Sequence, residues 1–217
     1  MKISPYSILY EDKDIIVVYK ERDVFSIRTK DKKTFSHNLY HYLHMYLSKK
    51  GENLFIVHRL DYETSGVMVF AKNGKVKERL QTLFEERKVL RYYEAVVKER
   101  PDWCHQDVTM YLLDPGNGAK ILVSDKEHGK DAITHIDVMN DIQIGTALKI
   151  RIDTGRRNQI RIALSHLGLT LLGDKRYSRN EAKRMYLNSY GLVFPSESGM
   201  ERLEFLTHPL WILDKGA

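Results

Sequence analysis

From Gln106 to Asp153 the chain reads as four short strands rich in β-branched residues: Val108 to Leu112, Ile121 to Ser124, Ala132 to Asn140 and Thr146 to Asp153. Turn signals at Asp114-Pro115-Gly116-Asn117-Gly118 and near Gly129 and Gly145 separate them. Strand after strand joined by short turns makes an antiparallel sheet, because a parallel one needs a helix-length crossover between neighbours. Helical patterns lie outside this block, so the expected class is α+β.

The flanks follow the same logic. Ile8 to Lys20 reads as a hairpin around a charged turn, and Val89 to Lys98 as a strand that Pro101 ends. Leu39, Leu43, Tyr46 and Leu47 recur at helical spacing, which predicts a helix over Phe35 to Lys50 stopped by Gly51. Val76, Leu80, Leu83 and Phe84 predict a second helix from Lys75 to Lys88. His37, His41 and His44 fall together on the first helix's polar face. No carboxylate or cysteine there completes a metal-ligand set, so a solvated face is the reading preferred. Leu171 to Tyr177 reads as a strand entering a turn, and Glu201 to Leu206 as a last strand; Trp211 is expected to anchor the C-terminus by packing.

Composition excludes several classes. With 217 residues and 42% hydrophobic residues but no apolar run near twenty, the chain is expected to be a soluble globular protein without a membrane span. The first residues lack the apolar centre of a signal peptide, and the single cysteine, Cys104, fits a reducing cytoplasm. A net charge of +6 favours a polyanionic partner. A monomer is the default state.

Two stretches carry the chemistry. His58-Arg59-Leu60-Asp61-Tyr62-Glu63-Thr64-Ser65-Gly66 leads through a small polar turn into an apolar run ending at Lys72. Asp is seldom buried unless paired, so Asp61 reads equally as an ion-paired structural residue or as a working carboxylate in a cleft. Its basic counterpart is Thr154-Gly155-Arg156-Arg157-Asn158-Gln159-Ile160-Arg161. Thr154 is expected to cap a helix beginning near Arg156 and stopping at Gly168, with Ile160, Ala163, Leu164 and Leu167 inward. Tyr92 and Tyr93 must point to opposite faces of their strand, and either could be a core or rim aromatic.

Taken together, these segments resemble the RluA-type pseudouridine synthases. Arg59-Leu60-Asp61 with Thr64-Ser65-Gly66 is similar to that family's catalytic Arg-Leu-Asp-x-x-Thr-Ser-Gly, and Phe84 to Ala95 to its uracil-pocket segment. Thr154 to Tyr177 resembles its Gly-Arg-x-His-Gln-Ile-Arg block with the Leu-Gly-Asp that follows, and Arg184 to Pro209 its closing block, where Thr207-His208-Pro209 fits the last signature. The resemblance implies one catalytic domain over residues 1–217, a largely antiparallel mixed sheet in two lobes with flanking helices and a central active-site cleft. No small N-terminal RNA-binding module is expected before Ile8.

It further implies an enzyme that isomerises a uridine of rRNA or tRNA, with no cofactor and no metal. Asp61, Tyr93 and Arg161 are the expected catalytic residues, Arg161 pairing with Asp61 and Tyr93 stacking on the flipped base. Arg59, Thr64, Arg156, Arg157 and Gln159 are expected to bind the RNA. The chain departs from the family at Lys20-Glu21-Arg22-Asp23, which lacks the usual Lys-Pro-x-Gly, and at Asn158, Ala163 and Asn188, where histidines are usual. Asp174 is either a second carboxylate or turn chemistry after Gly173. The alternative function is an inactive RNA-binding protein of the same fold; a kinase loop fails on motif order, and a nuclease or glycosidase lacks a carboxylate pair.

Overall fold

A computed structural model describes residues 4–29, 35–116, 118–196 and 201–208. Asn117, Pro209 and Trp211, singled out above, lie outside the described residues. The chain forms two compact units, Met1–Val89 with Ser189–Thr207, and Leu90–Asn188 with His208–Ala217. Among the described residues there are eleven strands, mostly antiparallel, and three helices, so the class is α+β.

The first unit begins with the expected hairpin, β1 (Tyr6–Glu11) and β2 (Ile15–Lys20). Next come α1 (Leu39–Ser48), β3 (Phe55–Ile56), β4 (Ser65–Ala71) and α2 (Gly74–Glu85), and the unit closes with most of β10 (Leu187–Phe194) and with β11 (Leu203–Leu206). The strand order is β1-β2-β4-β10, with β3 on β4 and β11 on β10. Helix α1 starts with its apolar stripe at Leu39 and not at the expected Phe35, because Asn38, in an extended conformation, accepts a hydrogen bond from the His41 N–H and fixes the first turn there. Asn73 does the same for α2 through Val76. Ile15, Val17, Val67 and Val69 form one core with Leu80, Leu83 and Val89, and Leu192 and Phe194 of β10 join it.

The second unit is a sheet in the order β5 (Leu90–Val97), β9 (Gly145–Ile152), β8 (Lys130–Ile142), β6 (His105–Leu113) and β7 (Leu122–Ser124). The pairings of β5 with β9, β9 with β8, β8 with β6 and β6 with β7 are all antiparallel, as the strand-rich block requires. Helix α3 (Gln159–His166) lies against β8 and β6. It begins three residues later than expected. Thr154 does not cap it: its hydroxyl accepts from the Ile133 N–H and donates to Gln159, while Asn158, left-handed at φ 57°, stands at the helix start without a side-chain cap. The expected strand at Leu171 reduces to one bridge with Val97. Conversely β10 has no period-2 signature, because all eight of its residues are buried.

Candidate active site

In the first unit, Asp61 sits half-buried on the turn that enters β4, and the residues on both sides of it are fixed. Leu60 is gripped at each end by Ser26, whose hydroxyl donates to the Leu60 carbonyl (2.7 Å) and accepts from the Leu60 N–H (3.1 Å). The Tyr62 ring packs against Phe25, tilted by 37° with centroids 4.4 Å apart, and the Tyr62 carbonyl accepts from the Lys20 ammonium at 3.3 Å. The Thr64 N–H closes the turn onto the Asp61 carbonyl. Gly66 is needed for close approach: at φ 130° a Cβ there would lie 2.2 Å from the Ser189 carbonyl oxygen of β10.

Lys20 is a residue that motif reading passed over. It is fully buried, and its Nζ donates to the carbonyls of Glu21 (3.0 Å) and Val24 (2.8 Å) as well as Tyr62. Burial pushes its pKa down to about 7, opposed by the nearby charge of Asp61 and then of Asp23 and Glu63. So Lys20, which opens the Lys20-Glu21-Arg22-Asp23 segment that departs from the family, holds the Asp61 turn together with Phe25 and Ser26 just beyond that segment. The signal available was a lysine ending an otherwise apolar strand, Ile15 to Lys20.

In the second unit, Tyr93 is 9% exposed and stands opposite Ile150, on the same face as Ile136. Tyr92 takes the other face, beside Lys149, Arg151, His105 and His135 in an open groove. Arg161 is 3% exposed. Its Nε and Nη2 donate to the two oxygens of Asp174 (3.0 and 2.7 Å), and Asp174 is fully buried. The Tyr177 ring lies 5.4 Å from the Arg161 guanidinium carbon. The Arg176 and Tyr177 N–H groups also donate to Asp174. Burial pushes the Asp174 carboxyl up, but Arg161 and these two amides outweigh it and hold it below the ordinary range. Asn158 is drawn into the same cluster by the Tyr177 hydroxyl at 3.2 Å.

Of the expected RNA contacts, Arg59 is exposed. Arg156 donates to Asp131, and Arg157 to Asp114 and the Ala119 carbonyl. The other two, Gln159 and Thr64, are buried. Gln159 is 3% exposed and engaged at both ends of its amide by Thr154, the Arg156 N–H, the Ile133 carbonyl and Thr134, so it holds the start of α3. Thr64 is 2% exposed and shapes the turn. Among the described residues no group of three or more His, Cys, Asp or Glu could hold a metal, and no helix is long and apolar enough to cross a membrane.

The model of a family described as RNA pseudouridylate synthase matches residues 14–166, more than half of the chain. The chain belongs to this RNA pseudouridylate synthase family. The matched span contains Asp61, Tyr93 and Arg161 and stops short of Asp174. Among curated relatives, ribosomal large subunit pseudouridine synthase D of Vibrio cholerae is 35% identical over 180 residues, and its namesake from Haemophilus influenzae 32% over 179. Each alignment covers 80% of this chain and 53% of the relative, so the chain spans about half the length of the curated relatives it matches. Two solved structures share the synthase fold. Human RNA pseudouridylate synthase domain containing 1 aligns at TM-score 0.74 with 23% identity, covering 94% of this chain and 83% of that one. Human RNA pseudouridylate synthase domain containing 4 aligns at 0.74 with 22% identity, covering 95% and 90%.

Proposed function

We propose that this synthase-family chain isomerises a uridine of RNA to pseudouridine, with Asp61 as the catalytic carboxylate. The observation that carries the reading is the grip on Asp61, whose neighbours on both sides are tied down by Ser26, Lys20 and Phe25. A carboxylate that only decorated a turn would need no such hold. The named role of the curated relatives favours rRNA over tRNA. Residues 1–217 serve as one catalytic domain, acting as a monomer in the cytoplasm.

The reaction breaks the bond from C1′ to N1 and forms one from C1′ to C5. N1 gains a proton and C5 loses one, with no net redox change. Asp61 acts at the sugar, by addition at C1′ or by taking the C2′ proton through a glycal. Arg161 is the cation we assign to that carboxylate, and its fork directs the carboxylate oxygens. Tyr93 stacks on the flipped uracil, and its hydroxyl serves the late proton transfer at C5. Arg59, Arg156 and Arg157 contact phosphates.

The test is to map pseudouridines in rRNA and tRNA from cells carrying the wild-type gene, no gene, or Asp61→Asn. One site is expected to vanish in both altered strains, while purified Asp61→Asn still binds the RNA. Turnover by Asp61→Asn would remove that residue from its role, and an unchanged map in the deletion strain would leave an RNA-binding protein.

A further inference from the structure

Among the described residues of the second unit two carboxylates are buried, Asp174 at 0% exposure and Glu94 at 2%, and they are compensated very unequally. Asp174 accepts from the Arg161 Nε and Nη2 and from the Arg176 and Tyr177 amides. Glu94, on β5, meets only the His208 Nδ1, which lies 2.9 Å from its Oε1; its Oε2 is buried and finds no hydrogen-bond partner among the described residues. Lys149 stands directly across from Glu94 on β9, but its ammonium lies over the Tyr92 ring, 5.7 Å from the centroid. The row continues with Asp137 opposite Lys149 on β8 and His105 opposite Asp137 on β6. Burial pushes the Glu94 carboxyl up, and the His208 hydrogen bond and the charges of His208 and Lys149 offset only part of that rise.

A buried acid placed this way is tolerable as long as the pair carries a proton, either on Glu94 itself or on an imidazolium facing its carboxylate. Without that proton, a carboxylate remains buried against a neutral ring, with one oxygen facing no donor. The His208 side chain is 51% exposed, so the proton has a way to water. Strand β11 ends at Leu206, two residues before His208, and Pro209-Leu210-Trp211-Ile212-Leu213 follows in the sequence.

We propose that Glu94 and His208 form a proton-operated clasp, which fastens the chain beyond β11 to strand β5 while the pair holds its proton and lets go when the proton is lost. The sign follows from the raised acid: its contribution is full below the ordinary carboxyl value of 4.5 and is lost as pH rises through the folded one.

The test is limited proteolysis of the full chain from pH 5 to pH 9, with cuts between Leu210 and Leu213 followed by mass spectrometry. Cleavage by a protease tracks the population of the opened segment. Glu94→Gln cannot gain or lose a proton, so the ratio of wild-type to Glu94→Gln cleavage removes the pH dependence of the protease itself. That ratio should rise on the order of 10-fold across the range. His208→Ala has no clasp and should be cut at least about tenfold faster than wild type at pH 5, with the two rates converging by pH 9. A flat ratio, or a His208→Ala chain cut no faster than wild type at pH 5, overturns the proposal. Should Glu94→Gln not fold, the half-exposed His208 position supplies the reference through His208→Ala, and a constant gap to wild type across the range is then the overturning result. Neither arm uses RNA or turnover, so the outcome is independent of the proposed function.

Discussion

Each unit buries a cation of interest, Lys20 beside the Asp61 turn in the first and Arg161 in the second, and the two are compensated by different means. Lys20 is met by three backbone carbonyls. Arg161 is met by a buried carboxylate across two parallel hydrogen bonds. Carbonyl dipoles offset only part of the desolvation of a full charge, and the lysine pKa falls to about 7. Arginine keeps its proton in any protein environment, and its planar fork suits a carboxylate. The first unit therefore holds a cation whose charge is adjustable near neutrality and whose job is to tie a loop. The second holds a permanent one whose orientation is set.

The sharpest way to break this contrast is Arg161→Met. It leaves Asp174 buried without its cation, and half of a buried ion pair typically costs about 3–5 kcal/mol. Asp174 has a lowered pKa in the folded protein, so its contribution is present above the ordinary carboxylate value and is lost as pH falls through the folded value. In the variant, burial acts with only two amides against it and favours the protonated acid. The stability gap in urea melts should thus be widest near pH 7 and shrink on acidification. A gap that ignores pH would mean the amides alone compensate Asp174.

A smaller loss is expected for Lys20→Met, roughly 1–3 kcal/mol, because three carbonyls lose their donor while the cost of burying an ammonium disappears. The sign of the pH dependence is opposite. With the folded pKa near 7 and an ordinary value of 10.5, the unfolded chain binds more protons between them, so wild-type stability gains from this group as pH rises through that window. The methionine variant has no such gain, and its deficit should widen from pH 7 to pH 9. A deficit that stays constant from pH 7 to pH 9 would show that Lys20 keeps its proton in the folded chain.

The same contrast explains what could be read in advance. The strand block and the hairpin carry local signals, β-branched runs between turn residues, and each formed within a few residues of its expected place. Helix α3 also formed near its expected place, but its start was decided by Gln159 reaching Ile133 and Thr134 of β8, a contact no capping pattern encodes. Strand β10 escaped because burial on both faces erases alternation. At the site, Asp61, Tyr93 and Arg161 were legible as motif positions, whereas their supports were not. Lys20 is followed by Glu21-Arg22-Asp23 where the family has Pro-x-Gly, and Asp174 read equally as a second carboxylate or as turn chemistry. It is indeed turn chemistry, since it accepts from Arg176 and Tyr177, but its other contacts are with Arg161, thirteen positions back.

The smallest effect tests whether burial, and not the mere count of charge contacts, makes the second unit's buried pair different. On the Tyr92 face of the same sheet, His105 bridges Asp137 (2.6 Å) and Asp107 (3.1 Å), and His135 bridges Asp107 (2.5 Å) and Asp153 (2.9 Å). This ladder has as many carboxylate contacts as the Arg161 pair has, and more, yet the His105 side chain is 53% exposed. The hydrogen bond to Asp137 raises the His105 pKa most; desolvation opposes it, and the charges of Asp107 and Asp137 add to the rise. A raised histidine contributes stability that is fully present below its unfolded value of 6.5 and is lost as pH rises through the folded one. His105→Asn should therefore lower Tm slightly at pH 6 and less at pH 8, by far less than either variant above. Water and salt screen an exposed ladder, so 0.5 M NaCl should erase the difference at pH 6 while leaving the Arg161→Met gap nearly intact. If salt removed neither, or both, the two clusters would share one electrostatic environment, and the distinction between an oriented buried cation and a solvated one would lose its physical basis.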